Sequence, residues 1–387
     1  MKIKTLTYFI LLVLLSCTHT DNKIKILKIN EIVLNNINDI PILIESTTKK
    51  NYFFYVTKND SICLYLKDLN NGSEKTINLN VLFDTTNILP FSIYSDLFLD
   101  KIINEEIYFI SNNKQITSIN IINNKISQYK VIGEIKPSEI DYHIYSIRFS
   151  PFTYLNDSCF ITMIGRNINQ STAEGRKLYF SYPLLGSLQI KNDNALLDNL
   201  NAPFPFIAKQ SNDYYMDQQL SYCTDDNGNI VYLLNRYPYV YRFNIQSSKL
   251  DSFKITSSYI DEKEIIPFNT KYFYDVNYSS LVEKYGYEVP QYKGIKYNSY
   301  QKLFYRINSI HTPYYQKNGK KTNYRNWSIS VIDKEMKLVG EIPFLKDSIF
   351  DFRLFYPSKS GFLIGYKKTK EDKRKKRQRL CEFKILF

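Results

Sequence analysis

Cys17 is the residue of this 387-residue chain whose surroundings dictate a definite reaction. It directly follows Leu14-Leu15-Ser16, at the end of a short apolar run. A thiol in that position takes a diacylglyceryl group, and cleavage before it frees an amine for a further acyl chain. Other catalytic groups are sparse, with His19, His143 and His311 the only imidazoles. No HExxH pair, CxxC pair, GxSxG elbow or phosphate loop occurs, so zinc-protease, thiol-redox, serine-hydrolase and nucleotide chemistry have no motif to rest on. Asp225-Asp226-Asn227-Gly228-Asn229 lacks the alternating ligands and the closing Glu of a calcium loop and reads as a tight turn. Glu105-Glu106 and Asp225-Asp226 are acid pairs of the kind a glycosidase needs, but their spacing does not bring two acids together across a cleft. No metal and no cofactor is expected.

Cationic and aromatic residues offer binding chemistry instead. Arg166 and Arg176 bracket one long inter-strand segment, and Lys317, Lys320, Lys321 and Arg325 lie in a second, 308–325. The third, 367–379, holds Lys373, Arg374, Lys375, Lys376, Arg377 and Arg379 against only Glu371 and Asp372. One reading is a solvated hairpin tip whose charge repels edge pairing; the other is a cationic rim for anionic glycans, lipid headgroups or an acidic protein. Tyr237 and Tyr239 near Arg236, and Tyr314 and Tyr315 after His311, are candidate contacts for a sugar or peptide, with packing between strands as the competing role. The net charge is +13, of which Lys2 and Lys4 leave with the leader. The abundance of Asn, Lys, Ile and Tyr matches AT-rich coding, which accounts for part of that excess.

The elements that must position these groups begin with the leader. Lys2, Lys4 and the run from Tyr8 to Leu15 form a signal peptide, too short to span a bilayer. Leu14-Leu15-Ser16-Cys17 resembles the lipobox of bacterial lipoproteins, which makes 1–16 a cleaved leader and 17–22 a lipidated tether. Two or more acyl chains hold a protein stably on a membrane. Thr18 rather than Asp after the lipidated residue points to the outer membrane. Nucleic acid is excluded for such a location. Cys63, Cys159, Cys223 and Cys381 are too scattered for a disulfide framework.

Beyond the tether, β-branched and aromatic runs alternate with Asn-, Asp- and Gly-bearing turns. The recurring copies are Tyr52–Val56, Ile62–Leu66 and Thr76–Leu79; Ile107–Ile110, Ile116–Ile121 and Ile126–Val131; Cys159–Ile164, Leu178–Tyr182 and Leu188–Ile190; Ile230–Leu234, Tyr239–Ile245 and Ser252–Ile255; Leu303–Ile307, Trp327–Ile332 and Lys337–Ile342; and Phe362–Tyr366 with Leu380–Phe387. A further run precedes most of them: Phe91–Phe98, His143–Phe149, Tyr214–Tyr222, Tyr272–Tyr278 and Ile349–Tyr356. Four-strand units at such a period imply an all-β fold, a β-propeller occupying 23–387 as one domain. Six blades are expected, with a seventh over 271–302 as the alternative. The last copy is one strand short, and Ile24–Leu34 supplies it by pairing beside Leu380–Phe387, which closes the ring.

The chain also resembles an uncharacterised family of Bacteroidetes lipoproteins, a domain of unknown function. The resemblance rests on the lipobox, the length, and Tyr297-Asn298-Ser299-Tyr300-Gln301-Lys302-Leu303-Phe304-Tyr305-Arg306. It implies an envelope location and a propeller-like body, and no activity. Asn298 stands where an acid is expected from that resemblance, which removes acid chemistry there. The reading as a whole is a monomeric outer-membrane propeller that binds or scaffolds an envelope protein, peptide or glycan through its basic loops. The alternative is a glycan-active hydrolase or lyase with its site at the channel mouth.

Overall fold

The computed structural model describes residues 24–35, 42–46, 51–58, 62–69, 71–78, 101–112, 115–133, 142–145, 152–156, 159–166, 168–170, 172–183, 185–200, 202 and 220–387. The leader 1–16, Cys17, the tether 17–22 and the run Phe91–Phe98 lie outside the described residues. Strands dominate. After β1 (Lys25–Leu34), the first sheet contains β2 (Ile42–Ser46), β3 (Asn51–Lys58), β4 (Ile62–Asp68), β5 (Glu74–Asn78) and β6 (Lys101–Ile102), with β6 parallel to β2. The second contains β7 (Glu106–Asn112), β8 (Gln115–Asn120), β9 (Ile126–Gly133), β10 (Tyr142–Tyr145), β11 (Thr153–Asn156), β12 (Cys159–Arg166), β13 (Leu185–Lys191) and β14 (Asn194–Leu200). Parallel pairing of β14 with β9 fuses two expected units into this one sheet.

The remaining three sheets are four-stranded antiparallel meanders. One runs β15 (Leu220–Thr224), β16 (Ile230–Leu234), β17 (Tyr239–Asn244) and β18 (Lys249–Lys254). The next runs β19 (Gln291–Asn298), β20 (Leu303–Ile310), β21 (Arg325–Ile332) and β22 (Leu338–Asp347). The last contains β23 (Phe350–Pro357), β24 (Gly361–Tyr366) and β25 (Gln378–Leu386), with β1 antiparallel to β25 from Lys25↔Leu386 to Leu34↔Gln378. The expected pairing of the first strand with the last is therefore present. A bulge between Lys28 and Asn30 switches the faces of β1. Ile24 and Ile26 pack with Trp327 and Phe383, whereas Ile32 and Leu34 pack with Phe53 of the first sheet.

Both faces of each unit are apolar, as alternation in a doubly covered strand requires. On β20, Leu303, Tyr305 and Ile307 face Phe355 and Phe362, while Phe304 faces Val231 and Val240. Further clusters join Leu64 and Ile77 to Ile107 and Phe109, Ile116 and Val131 to Leu188 and Leu197, and Ile161 and Met163 to Tyr222 and Tyr232. With the Leu34, Leu380 and Phe53 cluster, six apolar interfaces follow one another among the described residues. Each fully buried large side chain in them contributes about 1.5–3 kcal/mol.

Two expected strands are helical. Leu178–Tyr182 falls largely within α1 (Ala173–Ser181), because Thr172 caps the Gly175 N–H and Arg176, Tyr179 and Phe180 share one buried face. Tyr272–Tyr278 belongs to a 3-10 turn (Thr270–Tyr274) leading into α2 (Tyr278–Glu288), where Phe268, Tyr285 and Val289 form a separate small core. The stretch 271–302 thus holds no extra sheet; its one strand, β19, begins the fourth. A short α3 (Lys370–Arg374) sits within the basic segment 367–379, stopped at both ends by the Thr369–Asp372 capping box and Lys375.

Candidate functional site

The first strands of successive units pack side by side as a set of inner strands. β11 packs on β15, β15 on β19, and β19 on β23. Ser221 Oγ accepts the Ile295 N–H at 2.9 Å, which stitches two of these inner strands together. Their C-terminal ends, with Lys101 of β6, wall a cavity of about 350 Å³. Five sheets thereby contribute to one concavity, including Tyr154, Thr224, Tyr297 and Tyr356.

The lining is aromatic and charged. The Lys101 ammonium lies over the Tyr154 ring, 5.4 Å from its centroid. Tyr297 donates its hydroxyl to Asp226 Oδ2 at 2.8 Å, and Lys302 pairs with the same oxygen. Burial, then the bond to this carboxylate, pushes the Tyr297 phenol upward, so it remains a hydrogen-bond donor at neutral pH. Asp225 is committed to its turn: Oδ1 accepts the Asn227 and Asn229 N–H groups, both at 2.9 Å, and Oδ2 accepts from Asn229 Nδ2 at 2.8 Å. Gly228 closes that turn at φ +72°, where a side chain is strained. Both cavity carboxylates are thus engaged, one structurally and one by a lysine and a phenol. No group of three or more metal-ligating side chains occurs among the described residues.

The Tyr297–Arg306 element forms the turn between β19 and β20 and its flanks. Asn298 is fully buried. Its Nδ2 donates to the Ser358 and Gly361 carbonyls at 2.9 and 3.0 Å, and its Oδ1 accepts the Tyr300 and Gln301 N–H groups at 3.0 and 3.1 Å. An amide that donates on one side and accepts on the other fits this place. Arg306 is buried between sheets, donating to the Ile255 carbonyl at 2.6 Å and lying 4.4 Å from the Tyr292 ring centroid. Burial pulls its guanidinium down to about 10.

The basic segments sit at the opposite ends of the inner strands. Lys367 N–H donates to the Ile349 carbonyl at 2.8 Å, just before β23 begins. Thr312 N–H likewise donates to the Tyr287 carbonyl at 2.9 Å, just before β19. The residues expected to form a rim fare differently there. Arg166 ends β12 opposite Tyr142. Arg176 is not a rim cation: it is buried in α1 and donates to the Gln170 carbonyl at 2.9 Å. Arg325 is drawn inward onto α2, donating to the Gly286 carbonyl at 2.6 Å with its guanidinium against the Tyr287 ring. Lys321 pairs with Glu283 at 2.6 Å. Lys375 pairs with Glu371 at 2.7 Å, Arg377 with Asp372, and Arg379 with Asp372 at 3.3 Å and Glu31 at 3.7 Å. Lys317, Lys320, Lys373, Arg374 and Lys376 remain exposed.

The expected aromatic contacts are mostly packing residues. Tyr237 and Tyr239 are half-buried against the cluster of Tyr232 and Tyr241, and Arg236 covers the Tyr237 ring at 4.9 Å. Tyr314 is buried and donates to Glu283 at 2.8 Å; Tyr315 is exposed. The sequence does not single out the cavity residues Lys101, Tyr154, Lys296 and Tyr356, and it offers Asp226 only within a tight turn and an acid pair. Their shared signal is positional: Tyr154, Lys296 and Tyr356 lie on β11, β19 and β23, Asp226 follows β15, and Lys101 begins β6.

No known family's sequence pattern matches the chain, and no curated protein does. Solved structures do. A member of the DUF4221 family from Bacteroides vulgatus is similar over 95% of this chain and 99% of its own, with a TM-score of 0.70 and 15% identity. Aldose sugar dehydrogenase from Streptomyces coelicolor covers 94% and 99%, with a TM-score of 0.42 and 10% identity. The β-propeller domain of Myceliophteria thermophila Cps50 covers 91% and 99%, with a TM-score of 0.39 and 7% identity.

Proposed function

We propose that this chain is a lipid-anchored envelope β-propeller of the DUF4221 kind, and that it is a binding module whose ligand, a peptide or glycan, enters the central cavity. Six blades in a closed ring are supported by the six successive apolar interfaces and by the β1–β25 pairing. Outer-membrane attachment rests on the lipobox ending at Cys17. The observation that carries the binding reading is the cavity of about 350 Å³ to which five sheets contribute strand ends. Binding pockets favour such convergence of a few polar groups on an aromatic wall.

The cavity rather than the basic loops is favoured because half of the twelve candidate loop cations, Arg176, Lys321, Arg325, Lys375, Arg377 and Arg379, are already engaged within the fold. Melting of the full-length chain with pools of peptides and of neutral and acidic oligosaccharides tests the reading. One pool should raise the Tm, since a ligand that binds only the folded state stabilises it. Tyr297→Phe, which keeps the ring packed on Phe304 and removes only the hydroxyl, and Lys101→Ala should together abolish that shift and leave the ligand-free Tm nearly unchanged. A shift that survives both, or that vanishes on replacing Lys373, Arg374 and Lys376 by Ser, moves the site to the other face.

A further inference from the structure

We infer that the chain stands with its cavity-bearing face toward the bilayer, seated beside its tether on an apolar and basic patch that contacts the headgroup layer. The inference rests on the reading of Cys17 as acylated.

Strand polarity carries it. β25 ends on the cavity side, because β23 runs toward the cavity, β24 away and β25 back. β1 pairs antiparallel to β25, with Lys25 opposite Leu386, so the chain joins the fold on the cavity side and runs away from it. Ile24 confirms that position, because a Cβ added at Gly340, beside the β21–β22 turn, would lie 2.9 Å from its Cδ1. Six residues lie between Cys17 and Ile24, which makes seven Cα–Cα steps. Fully extended they reach about 25 Å. The far ends of the inner strands, where the basic loops lie, stand roughly 25 Å higher, since eight residues of β19 span about that length. The cavity face therefore reaches the membrane with slack in the tether, whereas the basic-loop face reaches it only with the tether drawn out to its full length.

The surface around Ile24 fits a headgroup layer. Leu338, Val339, Leu386 and Phe387 are 40%, 37%, 39% and 67% exposed. Exposed Lys25, Lys337 and Lys384 flank them. Apolar side chains set among lysines suit an anionic bilayer surface, where the former enter the interface and the latter meet the phosphates. Lys373, Arg374 and Lys376 then point outward, and the cavity opens into the gap beside the leaflet.

The test uses the full-length chain expressed with its leader, purified in detergent and reconstituted into phosphatidylethanolamine–phosphatidylglycerol vesicles with a headgroup-linked quencher. Mass spectrometry reads the acyl chains on Cys17. Fluorophores are attached at Lys337→Cys and, separately, at Lys376→Cys, with the parent chain as the labelling control. The label at 337 should lose most of its emission and the label at 376 should keep it. An acylated chain with equal or reversed quenching overturns the orientation alone. A chain without acyl mass overturns the anchor and the orientation with it. Leu338→Ser with Val339→Ser adds a second readout, expected to lessen quenching at 337 without releasing the chain from the vesicles.

Discussion

The Trp327 indole donates to Asp347 Oδ2 at 2.8 Å, tying β21 to the turn between the fourth and fifth sheets. Asp347 Oδ1 also accepts the Ile349 and Phe350 N–H groups at 2.8 and 3.0 Å, so one buried carboxylate orders both the strand and the turn. Asp347→Ala leaves the indole N–H and both turn amides without this acceptor. Hydrogen bonds to a charged group contribute about 1.5–3 kcal/mol each, so a loss of at least 2 kcal/mol is expected. Trp327 is the only tryptophan. Its fluorescence in a urea titration therefore reports this interface, and an unchanged midpoint would dismiss the role given to Asp347.

Arg306 and Glu341 form the polar centre of the interface between the third and fourth sheets. Ser330 Oγ donates to Glu341 Oε1 at 2.8 Å, and Ser258 N–H and Oγ both donate to Oε2 at 2.7 Å. Asn308 accepts from Arg306 Nε at 3.1 Å and donates to Ser330 at 2.8 Å. Breaking a buried charged network from one side costs about 3–5 kcal/mol, whereas apolar replacement of both charges costs far less. Glu341→Leu alone should lower stability by that amount. Arg306→Met with Glu341→Leu should recover more than half of it in denaturant titrations.

Much of this fold was legible because its signals are local. The apolar and aromatic runs in β16, β20 and β24 and the turn chemistry of Asp225–Asn229 marked strands and hairpins. The alternation in Ile24–Leu34 also revealed the strand that pairs with the last one, although the bulge at Ile29 could not be foreseen. Leu178–Tyr182 misled, since a short aromatic run suits a strand or a helix face, and the Thr172 cap with the Arg176, Tyr179 and Phe180 spacing decided for the helix. The site was hidden for another reason. Lys101, Tyr154, Asp226 and Tyr297 are far apart in sequence and meet only through the arrangement of inner strands. Charge runs stand out in a sequence, but pairs such as Arg377–Asp372 and Arg325 on Tyr287 spend much of that charge internally.

Asn298 tests whether the turn between β19 and β20 tolerates the acid expected from the family resemblance. Asn298→Asp turns a donor toward two carbonyls, of Ser358 and Gly361, into a buried negative oxygen. A loss of about 3 kcal/mol is expected at pH 7, with partial recovery when the acid is protonated. A melting series from pH 7 to pH 4 measures both. A variant as stable as the parent at pH 7 would refute the clamp.

Asp372 gives the far face an acid-sensitive lock. Burial works to raise its carboxyl, but hydrogen bonds from Thr369 and Arg377 and the charge of Arg379 together hold it well below the ordinary value of 3.8. Because the folded value is depressed, its stabilisation is complete above 3.8 and is lost progressively as the pH falls below it. Stability should therefore decline below pH 4 with a component that Asp372→Asn removes. The same variant should be less stable than the parent at pH 7, as urea midpoints at the two pH values will show.

The β1–β25 pairing predicts unequal sensitivity along a single strand. Leu34 is 1% exposed and packs with Leu380 and Phe53, whereas Val33 is 40% exposed. Leu34→Ala should cost about 2–5 kcal/mol through lost burial and the cavity left behind. Val33→Ala should cost about 0.5 kcal/mol or less, as surface substitutions do. Deleting residues 24–34 should do more, because it exposes β25 as an unpaired edge and uncovers the Phe53 and Trp327 clusters, a combination that drives self-association. A synthetic peptide of residues 24–34 added in trans should return the light scattering to that of the parent chain, and the Leu34→Ala peptide should do so only at higher concentration. Equal rescue by the two peptides would mean that backbone pairing alone holds the ends together and that the apolar face of β1 contributes nothing to the β1–β25 pairing.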